Sequence, residues 1–160
     1  MNRRDITNFA KRTNMALLWD INGFAFRNGV TWGAYNASGN IPPQGKDCPA
    51  CTVDAPFDVM NSNLTALMQI TNQENLCLDA ISIGNEPDLW YRYGLIQTGK
   101  QSALDLIGLK KRASSETSIF PSNLKFVGPS WAGYNITNAI GFFTNMQDFG
   151  PYMFTSHNYP

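Results

Sequence analysis

A glutamate locked between an asparagine and a proline is the strongest candidate for chemistry in this 160-residue sequence. Glu86 stands in Gly84-Asn85-Glu86-Pro87, directly after the mostly apolar run 77–83. A carboxyl group that stays neutral near pH 5 to 7, kept so by partial burial or a nearby carboxylate, can protonate a leaving oxygen. A second carboxylate can then attack or activate water, which together suffices to break a glycosidic bond. An isolated glutamate is usually a solvated surface residue, but the position of Glu86 at a strand end favours a catalytic role.

Polar and aromatic side chains follow each of the strands that the sequence predicts. They are Asn22 and Trp32; Asn85, Trp90 and Tyr91; Ser130, Trp131 and Tyr134; His157 and Tyr159. In a parallel barrel these side chains gather on one rim. Aromatic faces stack on sugar C–H surfaces, and amides and imidazole match hydroxyl groups, so the pattern predicts a carbohydrate site with Trp131 among its binding residues. Packing in the core is the alternative for Trp90 and Trp131, and a structural role is the alternative for His157. For Asn22 the structural role is favoured.

The elements that must position these residues alternate regularly along the chain. Apolar spacing predicts helices near residues 3–13, 60–68 (with Asp54 as N-cap), 103–115 and 136–143, and strands at 15–21, 77–83, 124–127 and 152–155. Pro87 should close the second strand, and Gly128-Pro129 should end the third. Alternation of this kind predicts right-handed βαβ units and a parallel sheet.

The α/β class leaves a doubly wound sheet or a (β/α)8 barrel. The sequence contains neither glycine-rich phosphate-binding turn, G-x-G-x-x-G or G-x-x-x-x-G-K, which disfavours a nucleotide-binding doubly wound sheet. A complete TIM barrel needs about 250 residues and eight strands. We therefore expect residues 1–160 to form part of one barrel domain, truncated at both ends, with parallel strands in sequential order.

The composition narrows the classes of molecule that the chain could bind. Net charge is zero, apolar residues make up 43% and charged residues 15%, so nothing favours nucleic acid or an anionic membrane as partner. No apolar run approaches the length of about 18 residues that a membrane span needs. Zinc would require all three cysteines, Cys48, Cys51 and Cys77, plus His157; a loop disulfide or free thiols are favoured over a metal or redox site. We expect neither metal nor cofactor.

Several motifs together resemble a known family. They are Ile83-Gly-Asn-Glu-Pro-Asp-Leu89, Leu18-Trp-Asp-Ile-Asn-Gly-Phe-Ala-Phe-Arg27 followed by Trp32, Phe126-Val-Gly-Pro-Ser130, and Thr155-Ser-His-Asn-Tyr159. With them the sequence resembles glycoside hydrolase family 79, the heparanase-like β-glucuronidases. That family lies in the clan of retaining (β/α)8 glycosidases, and the Asn-Glu-Pro motif alone indicates only the clan.

The resemblance implies a division of roles. Glu86 would be the general acid/base at the end of the fourth barrel strand, Asn85 would hold a sugar hydroxyl, and His157 and Tyr159 would line the site. The segment would hold strands three to six, whereas the family's nucleophilic glutamate follows strand seven. Asp20 and Asp88 lie in the wrong elements for that nucleophile, so the isolated segment should be inactive.

Other interpretations stay open. A neutral-sugar β-glycosidase of the same clan, a non-catalytic carbohydrate-binding homologue, and a small redox domain built on Cys48 and Cys51 are the alternatives. The sequons at Asn36, Asn63 and Asn135 weakly favour an extracellular or lysosomal protein. Its partner would be a glycan or glucuronide, and peripheral association with a membrane or the extracellular matrix is compatible with this interpretation.

Overall fold

A computed structural model describes residues 3–21, 23, 57–93, 97–133 and 135–157. Helices and strands alternate along them in the predicted order. They are α1 (Arg3–Thr13), β1 (Leu18–Ile21), α2 (Ser62–Gln73), β2 (Ala80–Ile83), α3 (Gly99–Ser115), β3 (Lys125–Trp131), α4 (Ile136–Met146) and β4 (Met153–Ser156). Two 3₁₀ helices, Pro87–Tyr93 and Gln147–Phe149, follow β2 and α4.

The four strands form one parallel sheet in the order β1-β2-β3-β4. Each connection between neighbouring strands contains a helix, so the sheet is a run of consecutive βαβ units. This confirms the predicted α/β class and the sequential parallel order of a partial (β/α)8 barrel.

One apolar core joins the sheet to the helices. Ile81 of β2 and Phe126 of β3 pack in the same buried cluster as Leu64 of α2, Leu106 of α3 and Phe142 of α4. Burying a side chain of this size contributes about 1.5–3 kcal/mol. The helices α2, α3 and α4 therefore cover one face of the sheet, as a barrel requires.

The opposite face of the sheet carries both polar and apolar side chains and is exposed on its two edge strands. Side chains alternate between faces along a strand, so Asp20 and Ser82, which are paired in register, point away from the core that contains Ile21 and Ile81. On the edge strands Leu18 and Met153 are 48% and 51% exposed. This face corresponds to the interior of the barrel.

Three details differ from the sequence-based expectations. Asp54 lies outside the described residues, and the N-cap of α2 is Asn61, whose side chain accepts a hydrogen bond from the Asn63 N–H. The third strand runs through Gly128-Pro129 to Trp131, with a register shift between Val127 and Ser130; proline is tolerated at such an irregularity because the ladder is already interrupted there.

The third difference is the buried face of α4. Helix α4 buries Ala139, Phe142 and Met146. The residues that predicted it from the sequence, Ile136, Ile140 and Phe143, are 59%, 60% and 52% exposed. No helix within the described ranges is long and apolar enough to cross a membrane.

Candidate functional site

The backbone after β2 is shaped by a glycine that no other residue can replace without strain. Gly84 has a φ of +80°, and a Cβ built on it would lie 2.3 Å from the Trp90 ring. Trp90 is 7% exposed and donates its Nε1–H to the Asn85 carbonyl at 3.1 Å. The indole therefore fills the space beside Gly84 and holds the turn that leads to Glu86.

Glu86 itself has a φ of +49°, a region that residues other than glycine rarely occupy. Its N–H donates to the Ser130 carbonyl at 2.7 Å, and Asn85 forms an isolated parallel bridge with Ser130. Such outliers persist where the surroundings over-determine them, and they concentrate at functional sites. The end of β3 thus fixes the backbone of Glu86.

The side chain of Glu86 meets the histidine that follows β4. Glu86 Oε1 lies 2.8 Å from His157 Nδ1, and His157 Nε2 lies 3.1 Å from Ser130 Oγ. The His157 N–H donates to the Trp131 carbonyl at 2.6 Å, which anchors the histidine to β3. Residues from the ends of β2, β3 and β4 therefore converge at one edge of the sheet, as the rim argument predicted for Glu86 and His157.

This line of three groups can move a proton without moving atoms far. The Glu86 and His157 side chains are 21% and 30% exposed, so both are shielded but reachable by a substrate. Nδ1 either accepts a hydrogen bond from a neutral carboxyl or donates one to a carboxylate, and the Ser130 hydroxyl can match either tautomer at Nε2. The arrangement suits a carboxyl that acts as acid in one step and as base in the next.

A second carboxylate, Asp20, faces the same interior. Ser82 Oγ donates to Asp20 Oδ1 at 2.8 Å. Burial of its carboxyl raises the pKa of Asp20, while hydrogen bonds from Ser82 and the Gly84 backbone, and the charge of His157, lower it. Asp20 also lines a cavity of about 310 Å³ with Ile21, Gly84, Asn85 and Trp90. Asp20 as a whole is exposed, but its carboxyl is partly buried against the sheet and interacts electrostatically with His157.

Asp88 holds the two loops of the site together. Its Oδ1 accepts a hydrogen bond from the Ala132 N–H at 2.8 Å, which ties the 3₁₀ helix after β2 to the turn after β3. Asn85 is exposed and lines the Asp20 cavity, a position compatible with the sugar contact that the family resemblance implies for it.

Trp131 does not lie where the sequence interpretation put it. Its side chain is 0% exposed and packs edge-to-face on Phe142 at 6.0 Å and Phe154 at 5.2 Å between ring centroids. Because Ser130 faces the site, the next residue along the strand must face the helices. The placement of Trp131 as a substrate-binding residue is thus corrected to a core position.

Several other residues named from the sequence lie outside the described residues. They are Tyr159, Asn22, Trp32, Tyr134, Cys48, Cys51 and the side chain of Tyr91. Cys77 is a half-buried free thiol that precedes β2, at the sheet end opposite Glu86. Burial and the neighbouring Asp79 raise the pKa of Cys77. Within the described part of the chain, no group of three or more His, Cys, Asp or Glu side chains could hold a metal ion.

Sequence reasoning missed three contributors to the site: Ser130 as the partner of His157, Asp20 on the inward face, and Asp88 as a tie between loops. The alternation of side chains between the two faces of a strand could have indicated two of them, Ser130 and Asp20. If Trp131 packs in the core, Ser130 must face inward; likewise, Asp20 lies between Trp19 and Ile21, which pack with the core.

Comparison with known proteins identifies a fold but no family. No protein-family model matches the chain, and no curated protein matches it. Among solved structures, the catalytic domain of GH30 xylanase C from Talaromyces cellulolyticus is similar, with a TM-score of 0.60 and 16% sequence identity. The match covers 99% of this chain and 37% of that one, so the chain spans well under half of that domain. At this identity the likeness establishes the fold alone.

Proposed function

We propose that this chain is a segment of the catalytic barrel of a retaining β-glycoside hydrolase, with Glu86 as general acid/base. The observation that carries the proposal is the 2.8 Å contact between Glu86 Oε1 and His157 Nδ1 at the carboxyl ends of parallel strands, where barrel enzymes place their chemistry. The Asn-Glu-Pro motif and the likeness in fold to a xylanase catalytic domain support the same interpretation.

The proposed reaction has two steps. In the first, neutral Glu86 gives its proton to the glycosidic oxygen while a carboxylate from outside this segment attacks the anomeric carbon and the C–O bond breaks. In the second, the Glu86 carboxylate takes a proton from water as that water displaces the enzyme carboxylate. His157 orients Glu86 through both steps, and Ser130 holds the imidazole. Asn85, and Tyr159 beyond the described residues, complete the proposed sugar contacts. The chemistry uses no cofactor.

The sugar has two candidates. The resemblance to glycoside hydrolase family 79 puts a β-glucuronide first. A neutral β-glycoside is the second candidate, and a specific observation favours it: the Asp20 carboxylate, which accepts a hydrogen bond from Ser82 Oγ, faces the site one strand away from Glu86, where it would repel a uronate.

The proposed protein works outside the cytoplasm, in the extracellular space or a lysosome, on a glycan. Two of its sequons are compatible with that route, because Asn63 and Asn135 are both exposed. The secretory location is tested by expressing the protein in eukaryotic cells and removing N-glycans enzymatically. A shift in gel mobility supports this location, and an unshifted band speaks against it.

Substitution of Glu86 tests the central proposal, and it belongs in the longer protein that carries this segment. Glu86→Gln keeps the shape but removes the transferable proton, so hydrolysis of a substrate with a poor leaving group should slow by about 10²- to 10⁴-fold. An activated aryl β-glycoside needs no proton to depart, so its glycosyl-enzyme should form in a burst and then accumulate. Added azide should restore turnover and yield a β-glycosyl azide.

Glu74→Gln is the matched control, since Glu74 caps the C-terminus of α2 and is exposed. It should leave both substrates unaffected. Equal slowing of both substrates by Glu86→Gln, without burst or azide rescue, would refute the acid/base assignment. Sugar binding without hydrolysis by the unsubstituted protein would point instead to a carbohydrate-binding homologue.

A further inference from the structure

A carboxylate stands one strand away from Glu86 on the inward face of the sheet. Asp20 in β1 is in register with Ser82 in β2, and Glu86 follows β2 by three residues. The neighbours of Asp20 in β1, Trp19 and Ile21, pack with the apolar core. The pleat therefore commits the Asp20 side chain to the interior that Glu86 and His157 border.

The surroundings of Asp20 are those of a binding group. Ser82 Oγ fixes one carboxylate oxygen at 2.8 Å, which orients the carboxylate, and an ionised carboxylate offers about four acceptor positions in all. The adjoining cavity of about 310 Å³, which Asn85 and Trp90 also line, lies within the size range of small-ligand pockets. An acceptor-rich group at the wall of such a cavity matches the hydroxyl donors of a sugar.

We propose that Asp20 is a specificity-determining residue that accepts hydrogen bonds from the hydroxyl groups of the sugar at Glu86 and disfavours a sugar bearing a carboxylate. The inference rests on the proposed function and deepens it, because it reverses the order of the two candidate substrates. A neutral sugar is then the better substrate, although the family resemblance favours a uronide.

The charges of the described residues support that order. A cation is the strongest partner for a uronate carboxylate, but His157 already contacts Glu86 at 2.8 Å. Lys125 shares the inward face by register with Ala80, yet it lies at the opposite end of β3, with its ammonium 4.5 Å from the centre of the Tyr152 ring. Because Glu86 is neutral when it donates its proton, the like charge that a sugar carboxylate meets in this partly shielded site is that of Asp20, and the repulsion there is stronger than in water.

The test compares paired substrates in the longer protein. kcat/KM is measured near pH 7 for 4-nitrophenyl β-D-glucoside and 4-nitrophenyl β-D-glucuronide with the unsubstituted protein, Asp20→Asn and Asp148→Asn. Asp148 is an exposed carboxylate in the 3₁₀ helix after α4 and serves as the control for loss of one negative charge. We expect the unsubstituted protein to favour the glucoside by about tenfold or more, the preference that one charged hydrogen bond supports.

Asp20→Asn should lower that preference by about 10- to 100-fold, because the amide loses the charge and half of its acceptors. Asp148→Asn should leave the preference within about twofold. Ser82→Ala, which removes the hydroxyl that orients Asp20, should shift the preference in the same direction by less. It also serves as the second variant if Asp20→Asn folds poorly by circular dichroism.

Two results would overturn the role of Asp20: a preference for the glucuronide in the unsubstituted protein, or an unchanged preference in both the Asp20 and Ser82 variants. Neither result bears on the proposed function, which is tested by the burst kinetics and azide rescue of Glu86→Gln. If neither glycoside is hydrolysed, calorimetric binding of glucose and glucuronate decides. A preference for glucose that Asp20→Asn abolishes supports the role of Asp20, and equal or absent binding refutes that role.

Discussion

Replacing Gly84 by alanine should disrupt the turn that carries Glu86. Gly84 has a φ of +80°, and an added Cβ would lie 2.3 Å and 2.5 Å from Cζ2 and Cη2 of Trp90. Trp90 cannot retreat easily, since it is 7% exposed and bonded to the Asn85 carbonyl. Gly84→Ala must therefore move either the indole or the backbone that leads into Asn85 and Glu86.

The expected cost has two parts. A residue with a Cβ in the left-handed region costs about 1–2 kcal/mol. Forcing an extra carbon into a packed site costs about 1–3 kcal/mol more. Together they give about 2–5 kcal/mol, a large share of the roughly 5–15 kcal/mol that stabilises a typical domain. The catalytic effect should be larger than stability alone implies, since a shift of about 1 Å in a catalytic group can cost about 10²-fold in rate.

Urea denaturation and kcat/KM in the longer protein measure the two effects. Gly133→Ala is the matched control: Gly133 lies in the turn after β3, and a Cβ there would meet nothing within 4 Å. A second variant separates the two parts of the cost. Trp90→Phe removes the ring atoms that the new Cβ would strike, so Gly84→Ala should cost less in that background by about 1–3 kcal/mol, the contact part alone.

A loss of stability from Gly84→Ala no larger than that from Gly133→Ala would contradict a strained turn at Gly84. If Gly84→Ala loses the same free energy of unfolding with Trp90 as with Phe at position 90, the contact between the new Cβ and the indole contributes nothing. A stability loss of the expected size with full activity would show that the turn does not control the position of Glu86.

Three further predictions concern the site and the open sheet. His157→Ala should lower kcat/KM by about 10- to 100-fold, the value of a hydrogen bond to a charged group, and Ser130→Ala by less than about tenfold, as for a neutral one; a larger loss in the Ser130 variant would contradict the proposed order of contacts. Burial raises the pKa of Asp20, so the folded state binds its proton more tightly than the unfolded state. That contribution to stability is present below pH 3.8 and is lost as pH rises through the folded pKa. The melting temperature of Asp20→Asn should therefore rise relative to that of the unsubstituted protein as pH increases above 3.8; a relative rise as pH decreases would contradict this. The isolated 160-residue chain should bind a hydrophobic dye and aggregate, because Leu18 and Met153 are 48% and 51% exposed on the edge strands of the sheet that the described residues form; a sharp two-state melt from a monomer would contradict this.

The order and type of the elements followed from the sequence because apolar spacing reports burial directly. The boundaries did not. The apolar run from Met15 predicted a strand three residues before Leu18, where pairing with β2 begins, since a strand exists only where a neighbour lies in register. Pro129 misled in the opposite direction: a missing N–H ends a regular ladder, but β3 accommodates it within a register shift between Val127 and Ser130.

The site was partly predictable for a similar reason. Glu86 and His157 could be placed together because every parallel strand end lies on one edge. Which side chains at that edge look inward depends on pleat parity, and parity is lost wherever a strand boundary or irregularity is misplaced. The early end predicted for β3 left Trp131 in a loop, free to face a sugar. In the structure Trp131 is the last residue of β3 and its indole faces the helices.

The position of Asp20 became clear from the pairing of strands β1 and β2, which the Asn-Glu-Pro motif alone does not reveal. By the family resemblance, Asp20 lies in the wrong element to be the nucleophile. The register of Asp20 with Ser82 shows instead that Asp20 faces the same interior as Glu86. There it would act under the proposed function as a group that surrounds the sugar. A glycosidase site must hold one neutral carboxyl near others that are charged, and each added carboxylate makes the interior less tolerant of an anionic substrate. Under the proposed function, Asp20 would therefore constrain the substrate more strongly than the Asn-Glu-Pro motif does, because the motif would determine the chemistry at the glycosidic oxygen whereas Asp20 would meet another part of the sugar.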